Sequence, residues 1–364
     1  MGQFDLMMFA ASEGDALMLS WGNDSSLHHA LIDLGRTKDY PSIRSVLHNI
    51  GRFELFAVTH IDADHIAGAM PLVRERNAPF NPADVWFNAW HHLRNAEARA
   101  RDMPLLETLS AKHGEKLSSG ILRFNWPWNC AFGSSGIVST DTPCAGTSIE
   151  LGGGLKVTLL SPGDTELAAL LPVWEKELGK ANLRPLDPDN TATSEAPSNL
   201  ESLSPINVEA LASAPFVDDR SQTNGASIAF LAEFGGRRVL LGADAHPGVL
   251  ERALRRLGFN EANRLKLDLF KLSHHGSKAN TSPSLLRIID CTRFGISTDG
   301  TKHNHPDRET IARILVNDPI RPKTLYFNVN QEQATVWDRP DLRERYAFKC
   351  EIPAMDKPGQ RVEI

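Results

Sequence analysis

Along the first third of the chain the apolar positions recur first with a period of two, then with helical spacing, then again as a short buried run. The segments FDLMMFAA (4–11) and ALMLSW (16–21) predict two strands joined by a turn at Glu13-Gly14-Asp15, and HALIDLG (29–35) predicts a third. A helix is expected over Pro41 to Asn49, then a buried strand from Glu54 to Thr59, a tight polar loop, and a helix from His65 to Arg76. DVWFNAW (84–90) predicts a strand leading into helical stretches, with His91 and His92 at the junction. Leu155 to Leu160 predicts another strand, closed by Ser161-Pro162-Gly163. From about 187 to 222 the composition turns to Ser, Asn, Pro and Asp with few aromatics, which predicts a flexible surface insertion. Patterning resumes with a hairpin, ASIAFLAEF (226–234) and GGRRVLLGADA (235–245), turning at Gly235-Gly236. A helix from Pro247 to Leu257, a strand from Leu267 to Leu272 and a polar turn at His274-His275-Gly276-Ser277 follow. Ser282-Pro283 and His305-Pro306 read as helix starts with proline at the first helical position. Both halves are rich in strands and carry helices, and no short repeat is present. The expectation is one α/β domain over 1–364 with two facing sheets and helices outside.

Composition narrows the class. Hydrophobic content of 41% and charged content of 23% are those of a folded globular chain. No run approaches the roughly 18 apolar residues of a membrane helix, and the N-terminus lacks the basic segment of a signal peptide, so no membrane association is expected. Cys130, Cys144, Cys291 and Cys350 lie far apart and form no CxxC pair. That argues against a zinc ribbon or a disulfide framework and makes the cytoplasm the expected location. A net charge of −6 disfavours a bulk electrostatic grip on nucleic acid and leaves room only for a local basic groove.

The chemistry concentrates in Thr59-His60-Ile61-Asp62-Ala63-Asp64-His65-Ile66-Ala67-Gly68, where a buried strand ends and a helix begins. Residues i and i+2 of an extended segment point the same way, so His60 and Asp62 can share one cation. The turn into the helix carries Asp64 and His65 toward a second position. Imidazole and carboxylate ligands at this spacing provide a divalent metal site without cysteine. Gly68 lets the first helical turn pack closely beneath the loop.

These residues resemble the metallo-β-lactamase superfamily, whose signature is HxHxDH after a buried strand. They are most similar to the soluble domain of ComEC-type DNA-uptake proteins, which carries THxDxDHxxG. Thr59, His60, Asp62, Asp64, His65 and Gly68 match that pattern in full. Gly14-Asp15, Leu31 to Gly35, Asn224 to Ile228, Leu241 to Asp244 and Leu272 to Ser277 resemble further landmarks in the same order, so only 187–222 lies outside the resemblance. The resemblance implies a four-layer αββα sandwich. It also implies that Asp244 is a carboxylate bridging two metals, although an N-cap for the helix near Pro247 is the competing role. His274 or His275 completes the second site. The H-x-G-S spacing favours His274, leaving His275 as a substrate-binding or supporting group, whereas G-H-G endings in other branches favour His275. Where the superfamily often has P-G-H-T, this chain has Pro162-Gly163-Asp164-Thr165. Asp164 is therefore a candidate ligand or a helix N-cap, and Asn224 is a second candidate for the missing histidine's place. With Asp62 standing where a histidine is usual, the first site is oxygen-rich, which moves preference from zinc toward manganese or magnesium.

One or two divalent ions, Zn²⁺ or Mn²⁺, are thus the expected cofactor, with Asp64 or Asp244 orienting an attacking hydroxide and accepting its proton. Lys278, Lys302, His303 and His305 are candidates for neutralising a substrate phosphate at the rim. Ser277 has no base at triad spacing and is expected to serve the turn. By resemblance the chain is expected to be a metal-dependent hydrolase of phosphodiesters, a nuclease or nucleotide phosphodiesterase with nucleic acid or nucleotide as its substrate. Hydrolysis of a lactam, lactone or thioester is the alternative, and a metal-binding scaffold acting through a partner is a third.

Overall fold

The computed structural model describes residues 2–23, 26–100, 111–142, 146–180, 206–355 and 357–364. Its strands form two large sheets. The six-stranded sheet runs, in spatial order, Gly359–Glu363, Gln3–Phe9, Leu17–Asn23, Ser26–Ile32, Leu55–Ala57 and Val85–Trp86. Its first four strands pair antiparallel and its last two join in parallel. The eight-stranded sheet runs Phe348–Glu351, Lys323–Phe327, Arg293–Ile296, Leu269–Lys271, Arg237–Leu241, Ala229–Phe234, Leu155–Ser161 and Ile149–Leu151. Five of these strands, from Phe348–Glu351 to Arg237–Leu241, are mutually parallel.

Alternation within each strand creates the layers. Phe4, Leu6 and Met8 point to the same buried core as Trp21, Trp86, Phe230, Val239 and Leu241, which fills the space between the sheets. The intervening residues Leu231, Leu240 and Phe270 face the other way, onto the helices Pro247–Arg256, Pro283–Ile288 and Arg308–Val316. Phe9, Leu31, Phe56 and Val58 pack likewise against Tyr40–Ile50, Trp90–Ala100, Ala111–Arg123 and Asp164–Lys180. The result is the expected α/β architecture, a four-layer αββα sandwich of two facing mixed sheets with helices outside.

Several local expectations change. The helix from His65 to Arg76 is two short turns, Ala63–Ile66 and Ala69–Leu72, because the Gly68 N–H donates to Gly35 O at 2.8 Å instead of continuing the helix. The strand from Leu267 to Leu272 divides at Asp268: Leu265–Leu267 pairs with Ile289–Cys291, while Leu269–Lys271 enters the large sheet. The segment after His305-Pro306 becomes helical only at Arg308, because Asp307 is extended (φ −61°, ψ 142°) as the N-cap, its N–H donating to Gly276 O at 3.1 Å. DVWFNAW contributes only Val85–Trp86 as strand. Of the expected insertion, 187–205 lies outside the described residues, and 206–222 is described. It lies at the surface, as expected, but with regular structure: Val208–Ala212 is a helix capped by Asn207, Val208 is buried, and Arg313 lies over the Phe216 ring at 5.4 Å. Among the described residues no helix is long and apolar enough to cross a membrane.

The parallel strands decide where chemistry can gather. They bring their carboxyl ends to one edge, so the loops after Ser26–Ile32, Leu55–Ala57, Arg237–Leu241, Leu269–Lys271 and Arg293–Ile296 meet there.

Candidate metal centre

His60, Asp62, Asp64, His65, Asp244, His274 and His275 meet at that edge. Asp244 lies between the others. Its Oδ2 is 3.7 Å from His60 Nε2 and 3.7 Å from His274 Nε2, and its Oδ1 is 3.4 Å from His65 Nε2. Asp62 Oδ2 is 3.6 Å from His60 Nε2, on the first side of this carboxylate. On the other side His275 Nε2 is 3.3 Å from Asp64 Oδ2 and 3.2 Å from His65 Nε2. Among the described residues, His60 with His65 and Asp244, Asp64 with His65 and His275, and Asp15 with Asp244 and His275 are three overlapping groups that could hold a divalent ion; His275, expected as the supporting histidine, belongs to two of them and the favoured His274 to none.

The imidazole tautomers follow from their outer partners. Asp33 Oδ2 lies 2.8 Å from His65 Nδ1, and a carboxylate only accepts, so Nδ1 carries the hydrogen and Nε2 a lone pair. The Thr59 hydroxyl donates its single hydrogen to Asp33 at 2.7 Å, so at 3.0 Å it must accept from His60 Nδ1. His275 Nδ1 donates to Ser297 O at 2.9 Å, and His274 Nδ1 to Asn280 Oδ1 at 2.9 Å. All four Nε2 atoms therefore turn toward one carboxylate. Convergent lone pairs repel unless a proton or cation lies among them. His60 Nε2 and Asp244 Oδ1 are buried without a hydrogen-bond partner, so the donor set fits a divalent cation.

Protonation preferences carry the same signature. Burial opposes charge on His65, yet the Asp244 and Asp33 carboxylates hold its pKa well above the ordinary value. Against the same burial, Asp244 raises His274 to about 9 and His275 to about 10, with Asp219 aiding the former and Asp15 and Asp64 the latter. Burial would push Asp64 and Asp244 upward, but the surrounding histidines keep both well below the usual carboxylate range. Positive charge is thus preferred at the centre of the cluster.

The backbone is shaped to deliver these side chains. Asp33, Ala243, His274 and His275 all have positive φ, at 57°, 43°, 47° and 56°. Each such non-glycine conformation costs on the order of 1 kcal/mol and persists where surrounding contacts impose it. Here the two ligand turns brace each other through the His274 N–H, which donates to Ala243 O at 2.8 Å. Gly14 and Gly68 allow the close approaches below: a Cβ at Gly14 would overlap the Asp64 carbonyl oxygen, and one at Gly68 the Leu34 carbonyl oxygen.

The remaining sequence candidates lie at varied distances from this centre. Asn224 reaches its edge, with Nδ2 3.3 Å from His274 Nδ1. Asp164 is elsewhere, beginning its own helix while accepting from Ser139 Oγ and pairing with Arg99 at 2.8 Å. His305 is buried beside His274 with ring centroids 5.3 Å apart, and the exposed His303 lies 5.7 Å beyond it. Burial first, then the neighbouring His274 and His275, holds His305 well below the ordinary histidine pKa. Lys278 pairs with Glu309 at 2.9 Å, and Lys302 is exposed next to His303. The Asp244 side chain caps no helix: the Pro247–Arg256 helix has His246 at its N-cap.

Sequence reasoning did not single out Asp33, Asn280, Ser297 or the Asp15–Lys271 pair. Asp33 carried a legible signal, an aspartate directly after a buried strand, as at Asp244. Asp15 and Lys271 form a wholly buried ion pair of 2.6 Å behind His275.

No family model matches this sequence, and no curated protein matches it. Among solved structures, the metallo-beta-lactamase fold protein YhfI from Bacillus subtilis aligns over 99% of both chains with 10% identity and a TM-score of 0.41.

Proposed function

We propose that this protein is a metal-dependent hydrolase that cleaves a phosphodiester with a metal-activated water. The observation that carries the proposal is the convergence of His60, Asp62, Asp64, His65, His274 and His275 around Asp244, in overlapping groups that could hold a divalent ion. Divalent cations bound there would lower the pKa of water toward neutrality and polarise the electrophile.

The protein's own residues supply the rest. Asp244, within 3.8 Å of all four imidazole Nε2 atoms, would be shared by the ions held there. Asp64, whose side chain is 15% exposed, would orient the attacking water and accept its proton. His305 and His303 continue the polar wall outward from His274, where a phosphoryl oxygen or its flanking group would lie. The mixed set of four imidazoles and three carboxylates would accept Zn²⁺ or Mn²⁺. The agreement of 59–68 and 272–277 with the ComEC-type pattern supports the same substrate class, a nucleic acid or nucleotide.

The test is turnover of bis-p-nitrophenyl phosphate, beside a lactam and a lactone, by metal-stripped protein with Mn²⁺ or Zn²⁺ restored. Metal-dependent phosphodiester cleavage that disappears in Asp64→Ala is expected. Turnover of the lactone or lactam alone would move the protein to carbonyl hydrolysis. Bound metal with no turnover would favour a scaffold.

A further inference from the structure

The 206–222 segment, expected as loose surface chain, delivers a carboxylate to the metal cluster. The Asp219 N–H donates to Ala279 O at 3.2 Å, and Asp219 Oδ1 accepts from the Ser221 N–H at 2.9 Å, which fixes the side chain. Asp219 Oδ2 then sits 3.4 Å from His274 Nδ1 in a pocket where its side chain is 11% exposed. The same oxygen accepts from Asn224 Nδ2 at 2.7 Å and from Asn280 Nδ2 at 3.0 Å.

These distances give the carboxylate a definite task. The Asn224 amide nitrogen is 3.3 Å from His274 Nδ1, close enough to donate to it. Such donation would require a lone pair on Nδ1 and would move the ring hydrogen to Nε2, the atom facing Asp244. Asp219 accepts only, so it draws the Asn224 hydrogens to itself. It also shares in holding the Asn280 NH₂ group, which donates in addition to Asp244 O at 3.1 Å. Asn280 therefore offers its oxygen to His274, and the ring hydrogen stays on Nδ1. The negative charge next to that N–H further strengthens Nε2 as a ligand.

We propose that Asp219 is a positioning residue of the metal centre, holding His274 in the tautomer that ligates the cation shared with His60 and Asp62. This rests on the metal-centre assignment above and adds the segment 206–222 to it.

The experiment is calorimetric titration of the chelator-stripped full chain with Mn²⁺ and with Zn²⁺, for wild type, Asp219→Asn and Asp219→Leu, beside the melting temperature of each metal-free protein. Removing such an outer partner typically weakens metal binding by about 10- to 100-fold. Asp219→Leu is expected to lose tenfold or more in affinity for one of two cations, leaving the other within about twofold, while its metal-free melting temperature falls because the Ser221, Asn224 and Asn280 donors lose their acceptor. Asp219→Asn, which keeps one acceptor oxygen, should fall between. Wild-type affinities in Asp219→Leu for both cations would overturn the proposal. Equal weakening of both would also overturn it by reducing Asp219 to a packing role. A wild-type protein that takes up no cation would sink the metal centre itself, a distinct result.

Discussion

Asp33→Asn isolates the logic of the centre, because it changes one atom in a side chain that touches no cation. Asp33 is fully buried and accepts three hydrogen bonds: from the Thr59 N–H at 2.8 Å, the Thr59 hydroxyl at 2.7 Å and His65 Nδ1 at 2.8 Å. Its φ of 57° is a conformation asparagine also tolerates, so backbone strain does not confuse the result. An asparagine has one acceptor oxygen for these donors and must turn its NH₂ toward one side. Turned to the Thr59 N–H, it leaves a buried amide unpaired, a cost of about 1–3 kcal/mol. Turned to His65, it needs a lone pair on Nδ1 and drives the hydrogen to Nε2, 3.2 Å from His275 Nε2, in the position a cation should occupy. The metal-free protein should therefore melt at least about 2 °C lower, the shift expected for 1 kcal/mol in a large domain. Affinity for the cation on the His65 side should fall about 10- to 100-fold, or roughly 1.4–2.7 kcal/mol. Metal titration with differential scanning calorimetry reads both. An Asp33→Asn protein that binds both cations within about twofold of wild type would refute the claim that outer partners fix the tautomers.

Three further outcomes follow from the same geometry. The folded-state pKa values of His274 and His275, about 9 and about 10, lie above the ordinary 6.5, so in metal-free protein their stabilisation is fully present below pH 6.5 and lost as pH rises through 9 to 10. Melting temperatures of stripped protein should fall across that window, whereas cation uptake should strengthen with pH and release protons, as titration in buffers of different ionisation enthalpy will show. Lys271→Met breaks a wholly buried ion pair and should cost about 3–5 kcal/mol in denaturant unfolding, while adding Asp15→Leu should recover most of it. Gly14→Ala forces a methyl into the Asp64 carbonyl and should destabilise by about 1–3 kcal/mol and impair metal uptake, whereas alanine at the exposed turn residue Gly235, facing only the Arg237 side chain, should leave metal uptake unchanged.

Much of the fold was legible because it rests on local periods. The alternation of Phe4, Leu6 and Met8, and of Val239, Leu240 and Leu241, fixes which face of a strand meets the other sheet and which meets a helix. The spacing of His60, Asp62, Asp64 and His65 at a strand end was equally local, and Asp244 and the His274-His275 pair marked two more strand ends. Helix lengths failed where a distant group competed for the backbone, as when Gly35 O takes the Gly68 N–H.

What the sequence by itself determined, then, is the set of strands, their buried faces and the polar residues that end them, since each depends on neighbours a few positions away. Only the tertiary structure decided which nitrogen of His65 and His275 faces inward, because Asp33 and Ser297 hold their Nδ1 atoms from other loops, whereas His60 and His274 are held by the nearby Thr59 and Asn280. It alone set the buried Asp15–Lys271 pair and the placement of Asp219 against His274, contacts between segments 256 and 55 residues apart that no local period encodes.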